Sequence, residues 1–319
     1  MGVISSNLSS WFSSNPTIKQ TSSTRKTVNL TLKTGKSPCS SAASNAPKGS
    51  KTSVQDLLVK NGSSRYCLCC PRRDSLGVLG TGLPPVFPSF SADEDPMAVV
   101  NRIHPPRPDW YEEIYALAME KATKAYEAEI AGYKSQLFAS LRGKVDKILE
   151  IGIGTGPNLK YYADYPGVNV CGVDPIRKME KYARAAAENA GLSPSNFEFM
   201  QAVAEALPLD DASVDAVVGT LVLCSVKDVD RALQEVKRVL KPGGFYVFVE
   251  HVAAKDGTIL RFVQGILNPL QQTVADGCHL TRKTATNIAE AGFASLDVNE
   301  VVLSTAFITN PQVYGIAYR

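Results

Sequence analysis

The chain has 319 residues, 20% of them charged, with 34 Lys or Arg against 31 Asp or Glu and a net charge of +3. It contains no apolar run of about 18 residues, which argues against a spanning helix. Seven cysteines, four of them isolated in the sequence, make no disulfide framework.

The small positive charge is unevenly placed. Residues 1–73 hold 11 Lys or Arg and one acid, Asp56, so that segment is +10 and residues 74–319 sum to −7. A mildly acidic body is a poor nucleic-acid surface, and no nucleic-acid partner is expected. Residues 1–55 lack Asp and Glu altogether and are rich in Ser, as in Leu8-Ser9-Ser10-Trp11-Phe12-Ser13-Ser14. A basic, Ser-rich, acid-free leader is the pattern of an organelle transit peptide, and the Ser content points to a chloroplast. The stroma or a thylakoid-associated place is the expected location. Arg72-Arg73 before a short apolar passage raises the thylakoid lumen as a secondary reading. A disordered regulatory tail is the rival account of the leader. The expected organisation is a leader over 1–75, a Pro-rich linker over 76–108 and one catalytic domain over 109–319. Cys67, Cys69 and Cys70 have no second ligand pair at a usable spacing, so no metal site is expected.

Residues 109–141 form a first helical block. Asp109 is placed to cap it after Pro108, and Glu112 gives a capping-box spacing. Ile114, Leu117, Ala118, Ala122, Tyr126, Ile130 and Tyr133 recur near a helical period. The block either covers the mouth of a cofactor site or simply packs.

The stretch Val145 to Asn158 organises the remainder of the chain. An apolar run ends at Glu150, and Gly152, Gly154 and Gly156 occupy alternate positions. The pattern predicts a buried strand, a turn without Cβ atoms and a helix opening near Pro157–Asn158, its free N–H groups facing a ligand. Dinucleotide enzymes space these glycines as G-x-G-x-x-G around a pyrophosphate. Here the spacing is G-x-G-x-G, and an acid stands two residues before the first glycine. That acid repels a pyrophosphate and suits a cationic amino-acid moiety, which favours S-adenosylmethionine.

Further strands are predicted over 168–173, 197–202, 214–219, 245–250, 296–303 and 313–318, and helices over 157–164, 175–191, 228–240, 259–274 and 281–291. Alternation of this kind implies a mostly parallel, Rossmann-like α/β sheet with helices on both faces and ligands at the carboxyl ends of its strands. Asp174 closes the second strand, where a carboxylate can accept both ribose hydroxyls; with Pro175 behind it, helix capping is the alternative. Ala204 and Glu205 follow the third strand, where an adenine edge would lie, and Glu205 as a solvated surface acid is the alternative. Thr220 and Leu221 end the fourth strand, toward the methionine part of the pocket. Pro242-Gly243-Gly244 is a turn by its own chemistry.

Glu150-Ile-Gly152-Ile-Gly154-Thr-Gly156, Asp174, Ala204-Glu205-Ala206-Leu207-Pro208 and Leu240-Lys241-Pro242-Gly243-Gly244 together resemble the class I S-adenosylmethionine-dependent methyltransferases of the ubiquinone/menaquinone-biosynthesis type. A narrower resemblance, carried by Thr220–Lys227, Glu250-His251-Val252-Ala253-Ala254 and Asp276-Gly277-Cys278-His279-Leu280-Thr281-Arg282, is to the animal methyltransferase-like thiol S-methyltransferases. The resemblance implies the seven-stranded methyltransferase fold and S-adenosylmethionine as cofactor, with Glu150, Gly152, Gly154, Gly156, Asp174 and Glu205 holding it. Asn158, Pro175, Ala204, Thr220 and Leu221 complete the expected cofactor set. Val203 stands where the broader family often has an Asp, and the apolar membrane-anchoring start of the animal enzymes is replaced here by the Ser-rich leader.

Methyl transfer from a sulfonium is an in-line displacement that alignment and exclusion of water accelerate. A thiol acceptor is partly deprotonated near neutral pH and can do without a dedicated base, whereas an oxygen acceptor needs one. Candidate groups beside the acceptor are His251, Asp276, His279 and Arg282. The alternative for Asp276 and Arg282 is to pair with each other and brace their loop, and Cys278 reads as a packing residue. Ile259–Leu267 is apolar at helical spacing and is expected in the core, in an acceptor wall or at a peripheral membrane contact. The expected acceptor is a small apolar-bodied molecule, a thiol first and a quinone or phenol second. A non-catalytic nucleoside-fold module and a dinucleotide dehydrogenase are the rival readings.

Overall fold

The computed structural model describes residues 95–319. The leader, the twin arginine and Cys67, Cys69 and Cys70 lie outside the described residues. The first helix, α1 (Pro96–Ile103), falls within the stretch read as a linker. Its start is locally encoded, since the Asp95 carboxylate accepts the Met97 N–H at 3.0 Å and Pro96 supplies a preset φ at the opening turn.

Helix α2 (Asp109–Ala139) begins where expected but without the predicted cap. Pro108 holds the cap position, no side chain caps the helix, and Asp109 and Glu112 sit in the first turn, where they favour the helix dipole. Ala116, Ile130, Leu137 and Phe138 are its buried apolar residues. Ile114 and Leu117 are 59% and 42% exposed, so the predicted stripe describes only the second half of the helix.

Seven strands complete the sheet: β1 (Lys147–Ile151), β2 (Asn169–Asp174), β3 (Phe197–Gln201), β4 (Val214–Thr220), β5 (Leu240–His251), β6 (Ser295–Val301) and β7 (Gln312–Tyr318). Their order is β3-β2-β1-β4-β5-β7-β6. The pairings from β3 through β5 are parallel, and β7 runs antiparallel to both β5 and β6. The intervening helices are α3 (Glu180–Asn189), α4 (Val229–Val239), α5 (Ile259–Val274) and α6 (Thr284–Glu290). Pleating divides β1 between two cores. Ile148 packs with Phe138, Tyr162 and Ala183 on the α2/α3 side, while Leu149 and Ile151 pack with Leu233, Val236 and Ile288 on the α4/α6 side.

Three expectations need correction. Residues 157–164 form only a short 3-10 turn, Leu159–Tyr161, because the backbone leaves Gly156 at φ +78° and tightens at once. The Pro-Gly-Gly passage lies inside β5 rather than before it, with a register shift opposite Val214 and Ala216. A Cβ at Gly244 would stand 2.7 Å from the Asp215 carbonyl oxygen, which explains the glycine there. Helix α5 does not bury its apolar stripe. Ile259, Phe262, Ile266, Leu270 and Val274 are all more than half exposed, and the helix is anchored instead through buried Gln264. That carboxamide accepts the Ala254 N–H and donates to the Ile308 and Asn310 carbonyls. Among the described residues no helix is long and apolar enough to cross a membrane.

Candidate active site

A cavity of about 640 Å³ opens at the carboxyl ends of β1, β2 and β4, the crevice where strand order reverses. Its floor is the glycine turn. Gly152, Gly154 and Gly156 all have positive φ, but they do different work. A Cβ on Gly152 would collide with Val222 Cγ2, and one on Gly156 would lie 2.6 Å from Leu159 Cδ1. A Cβ on Gly154 would meet only the Gly152 carbonyl oxygen, at 4.0 Å. Gly154 is therefore the position where the backbone itself faces the cavity, and its two neighbours are glycines for packing.

Asp174 stands against this floor, 6% exposed. Its Oδ2 accepts the Gly154 N–H and its Oδ1 accepts the Ile176 N–H, both at 2.9 Å. Each oxygen retains acceptor capacity for a ligand hydroxyl. Burial outweighs those two bonds and raises the carboxyl pKa to about 6. The capping alternative is thus partly realised, in the bond to Ile176, without removing Asp174 from the cavity wall.

Glu150 also lines the cavity, and both its oxygens are engaged. Asn158 Nδ2 donates to Oε1 at 2.9 Å and the Tyr162 hydroxyl to Oε2 at 2.7 Å. Asn158 Nδ2 also reaches Thr220 Oγ1 at 3.0 Å, and Asn158 Oδ1 accepts from Lys134 Nζ at 2.8 Å. Asn158 is 1% exposed and joins β1, β4 and α2 in one network. Burial raises the Glu150 pKa to about 7, against the pull of Tyr162, Asn158 and Lys134. A cation arriving in the cavity would reverse that shift, so the site favours a cationic ligand.

Pro175, Ala204 and Leu221 line the cavity as expected, and Leu221 does so at φ +57°. Glu205 lines it too, and its carboxylate is buried rather than solvated. Oε1 accepts the N–H groups of Lys227 and Asp228, at 2.7 and 3.3 Å, and so braces the loop before α4.

The four candidates for the acceptor side separate, and His279 does not line the cavity. His251 is 2% exposed and does not line the cavity, because its ring turns to Cys278 Sγ at 3.1 Å. Arg282 is also away from the cavity, its Nη1 donating to the Leu223 carbonyl oxygen at 2.7 Å. Asp276 does line it, at φ +48°, and its partner is not Arg282. His104 Nε2 lies 3.0 and 2.9 Å from the two Asp276 oxygens, with Arg107 3.5 Å away. Burial lowers the His104 pKa, but the hydrogen bond and charge of Asp276 outweigh it, and the net shift is upward from 6.5. Left-handed φ at Leu221 and Asp276 costs of order 1–3 kcal/mol each, and such strain concentrates at functional sites.

Sequence reasoning missed the part of the roof that precedes α2. His104 and Arg107 come from the Pro-rich strap that follows α1, and Tyr115 and Met119 from α2. Tyr126 lines the cavity as well, and its hydroxyl donates to Gln312 Oε1 at 3.3 Å. The signal in the sequence was His104-Pro-Pro-Arg107-Pro108, a stiff segment carrying two cationic side chains. The expectation that the block from residue 109 covers the mouth of the site is borne out by Tyr115 and Met119.

Five parallel-paired strands and a reversed seventh, with a glycine turn after β1 and an acid after β2, are the arrangement of class I S-adenosylmethionine-dependent methyltransferases, and the chain belongs to that family. Residues 149–248 match the family model described as a methyltransferase domain. The thiol S-methyltransferase TMT1A of Homo sapiens is 40% identical over 207 residues, covering 62% of this chain and 82% of that protein. The thiol S-methyltransferase TMT1B of Rattus norvegicus is 41% identical over 172 residues, 52% of this chain and 69% of that one. The ubiquinone/menaquinone biosynthesis C-methyltransferase UbiE of Pasteurella multocida is 27% identical over 190 residues, 58% of this chain and 63% of its own.

The chain is a methyltransferase enzyme, and S-adenosylmethionine is its cofactor. The residues present fit that molecule. Gly154 gives a backbone surface with no Cβ in the way, Asp174 keeps acceptor capacity for hydroxyls, and Glu150 supplies an acid beside the cavity. When bound, the cofactor supplies an electrophilic methyl group on a sulfonium. The protein's share is to hold, orient and exclude water.

Proposed function

We propose that the enzyme methylates the sulfur of a small, apolar-bodied thiol. The observation that carries this reading is a cavity whose walls combine apolar Ile103, Met119, Val222 and Val226 with the His104–Asp276 pair. An apolar body fits such walls, and a thiol asks little of the base. With Nε2–H donated to Asp276, the basic nitrogen of His104 is Nδ1, which takes the thiol proton. Tyr115 is less suited to that task, because burial raises its pKa far above the ordinary phenol range. The thiol S-methyltransferase names of TMT1A and TMT1B support the same acceptor atom.

Methylation of a quinone or phenol is the second reading, favoured by the likeness to UbiE. The test is turnover of S-adenosylmethionine to S-adenosylhomocysteine with a panel of alkyl and aryl thiols beside phenols and quinols. Thiol-dependent product formation is expected. Product from quinols alone would transfer the assignment to the second reading.

Location in the chloroplast, on the stromal or thylakoid side, is part of this proposal, as is a leader over residues 1–75; the catalytic body starts before residue 108, since Ile103 to Pro108 line its cavity. The acid-free, Ser-rich first 55 residues support both. The exposed stripe of α5 supports peripheral membrane contact. Import of a fluorescent fusion into isolated chloroplasts tests the location, and vesicle co-sedimentation tests the contact.

A further inference from the structure

Behind the cavity wall three side chains from three elements meet. Cys224 lies in the loop after β4, His251 ends β5, and Cys278 lies in the loop after α5. They are 2%, 2% and 7% exposed. Their two sulfurs and an imidazole nitrogen all lie within 4.8 Å of one another. None of the three lines the cavity, so the cluster is separate from the methyl-transfer site.

These groups do not satisfy one another. His251 Nε2 is 3.1 Å from Cys278 Sγ, but His251 Nδ1 is buried with no hydrogen-bond partner. A buried ring nitrogen left unpaired has lost its water and gained nothing in return. Three apolar side chains would fill this space without that cost. What points to an occupant is the convergence of the set, since two thiols and the Nε2 edge of an imidazole meeting in a dry pocket are the donors a soft or borderline cation takes.

We propose that Cys224, His251 and Cys278 hold one zinc-class cation. Zinc takes thiolate sulfur at about 2.3 Å and imidazole nitrogen at about 2.0–2.1 Å, so tetrahedral ligand atoms stand roughly 3.5–3.8 Å apart. That separation lies within the span of the cluster. Two thiols and an imidazole select a soft or borderline ion over magnesium or calcium, which take oxygen ligands. On binding, each thiol gives up its proton to solvent and the imidazole ligates as the neutral ring, so two protons leave for one divalent ion. The fourth position goes to water or to the Gln271 carboxamide, whose nitrogen as placed is 3.6 Å from Cys278 Sγ and whose oxygen takes that place on an amide flip.

The site would act on the shape of the cavity. Cys224 and Cys278 belong to the loops that carry Leu221 and Asp276, the two strained cavity-lining residues. The loops already touch, since the His279 N–H donates to the Cys224 carbonyl oxygen at 2.9 Å. A shared ion fastens them and so holds the His104–Asp276 pair in place from behind.

The test uses the full-length chain with Cys39→Ser, Cys67→Ser, Cys69→Ser and Cys70→Ser, so that leader thiols do not contribute metal. After growth with zinc and gel filtration, elemental analysis should find about one zinc per chain. Cys278→Ser or His251→Gln in the same background should reduce that at least tenfold. Cobalt substitution should give a thiolate-to-cobalt charge-transfer band that Cys224→Ser removes. A second measurement needs no further variant: chelation should lower the melting temperature, and zinc should restore it. Less than a tenth of an equivalent of zinc in the parent overturns the proposal, as does equal zinc in parent and Cys278→Ser. Mass spectrometry showing a Cys224–Cys278 disulfide in the freshly purified parent also overturns it, since oxidised sulfurs do not ligate zinc.

Discussion

Lys134 on α2 donates from Nζ to Asn158 Oδ1 at 2.8 Å, and the same ammonium reaches Glu127 Oε1 at 2.6 Å. Lys134 is fully buried, so α2 is fastened to the glycine turn by a charged group that water does not reach. Burial lowers its pKa, and the charge of Glu127 opposes that shift. Removing one partner of a buried ion pair strands the other. Lys134→Met is expected to destabilise the protein by about 3–5 kcal/mol, lowering the melting temperature by roughly 10 °C. Glu127→Gln added to it should recover part of the loss. Calorimetry showing Lys134→Met as stable as the parent would remove this tie from the account.

Asp174 holds the turn through Gly154 and keeps lone pairs for a ligand. Asp174→Ala should weaken S-adenosylmethionine binding at least tenfold, about 1.4 kcal/mol or more, in isothermal titration. An unchanged dissociation constant places the ribose elsewhere.

Gly154 is the glycine whose missing Cβ faces open cavity. Gly154→Val is expected to abolish cofactor binding while circular dichroism stays folded. The cost of φ +52° for a side chain, roughly 1–2 kcal/mol, is tolerable in a domain of this size. Gly156→Ala should do the opposite, losing stability first, because its Cβ meets Leu159 and Ala186. Undiminished binding by Gly154→Val is the result that refutes the close approach.

The glycine turn and Asp174 were legible because each is a local device, a turn or a strand end, written in consecutive residues. The strand order follows from alternation and right-handed crossovers in the same way. The strap's share of the roof was not legible, since His104 and Asp276 are 172 positions apart and only tertiary packing makes them partners. His251 was misplaced for a related reason. Sequence puts it at the end of a strand, but not on which side of the sheet its ring falls. For Glu205 only the structure removes the solvated alternative, because a buried acid bonded to two backbone N–H groups and a solvated one read alike in sequence.

Cofactor affinity should depend on pH through Glu150 and Asp174. Burial raises their pKa values to about 7 and about 6, and a cationic ligand prefers the ionised forms. Binding is therefore expected to strengthen as pH rises from about 5.5 toward about 8, with proton release below about pH 7. Glu150→Gln should flatten the upper part of that curve. A dissociation constant that does not move across the range contradicts the assignment of Glu150 to the cationic end.

Asp276 raises the pKa of His104. If neutral His104 takes the acceptor proton, activity is lost as pH falls through that pKa. Asp276→Asn should lower the pKa and move the acid limb of kcat/KM to lower pH, together with a fall in kcat of about tenfold or more. An acid limb that stays in place while kcat falls assigns Asp276 a purely structural part.

The strap between Ile103 and Asp109 carries His104 and Arg107, whereas the donor-side residues begin with Glu150. A single peptide-bond scission in the strap would leave a protein still able to seize its methyl donor but with the acceptor chamber unroofed. Such a clipped form would sequester donor without productive turnover. The strap is therefore the part of the described chain on which turnover, as distinct from donor capture, is expected to rest.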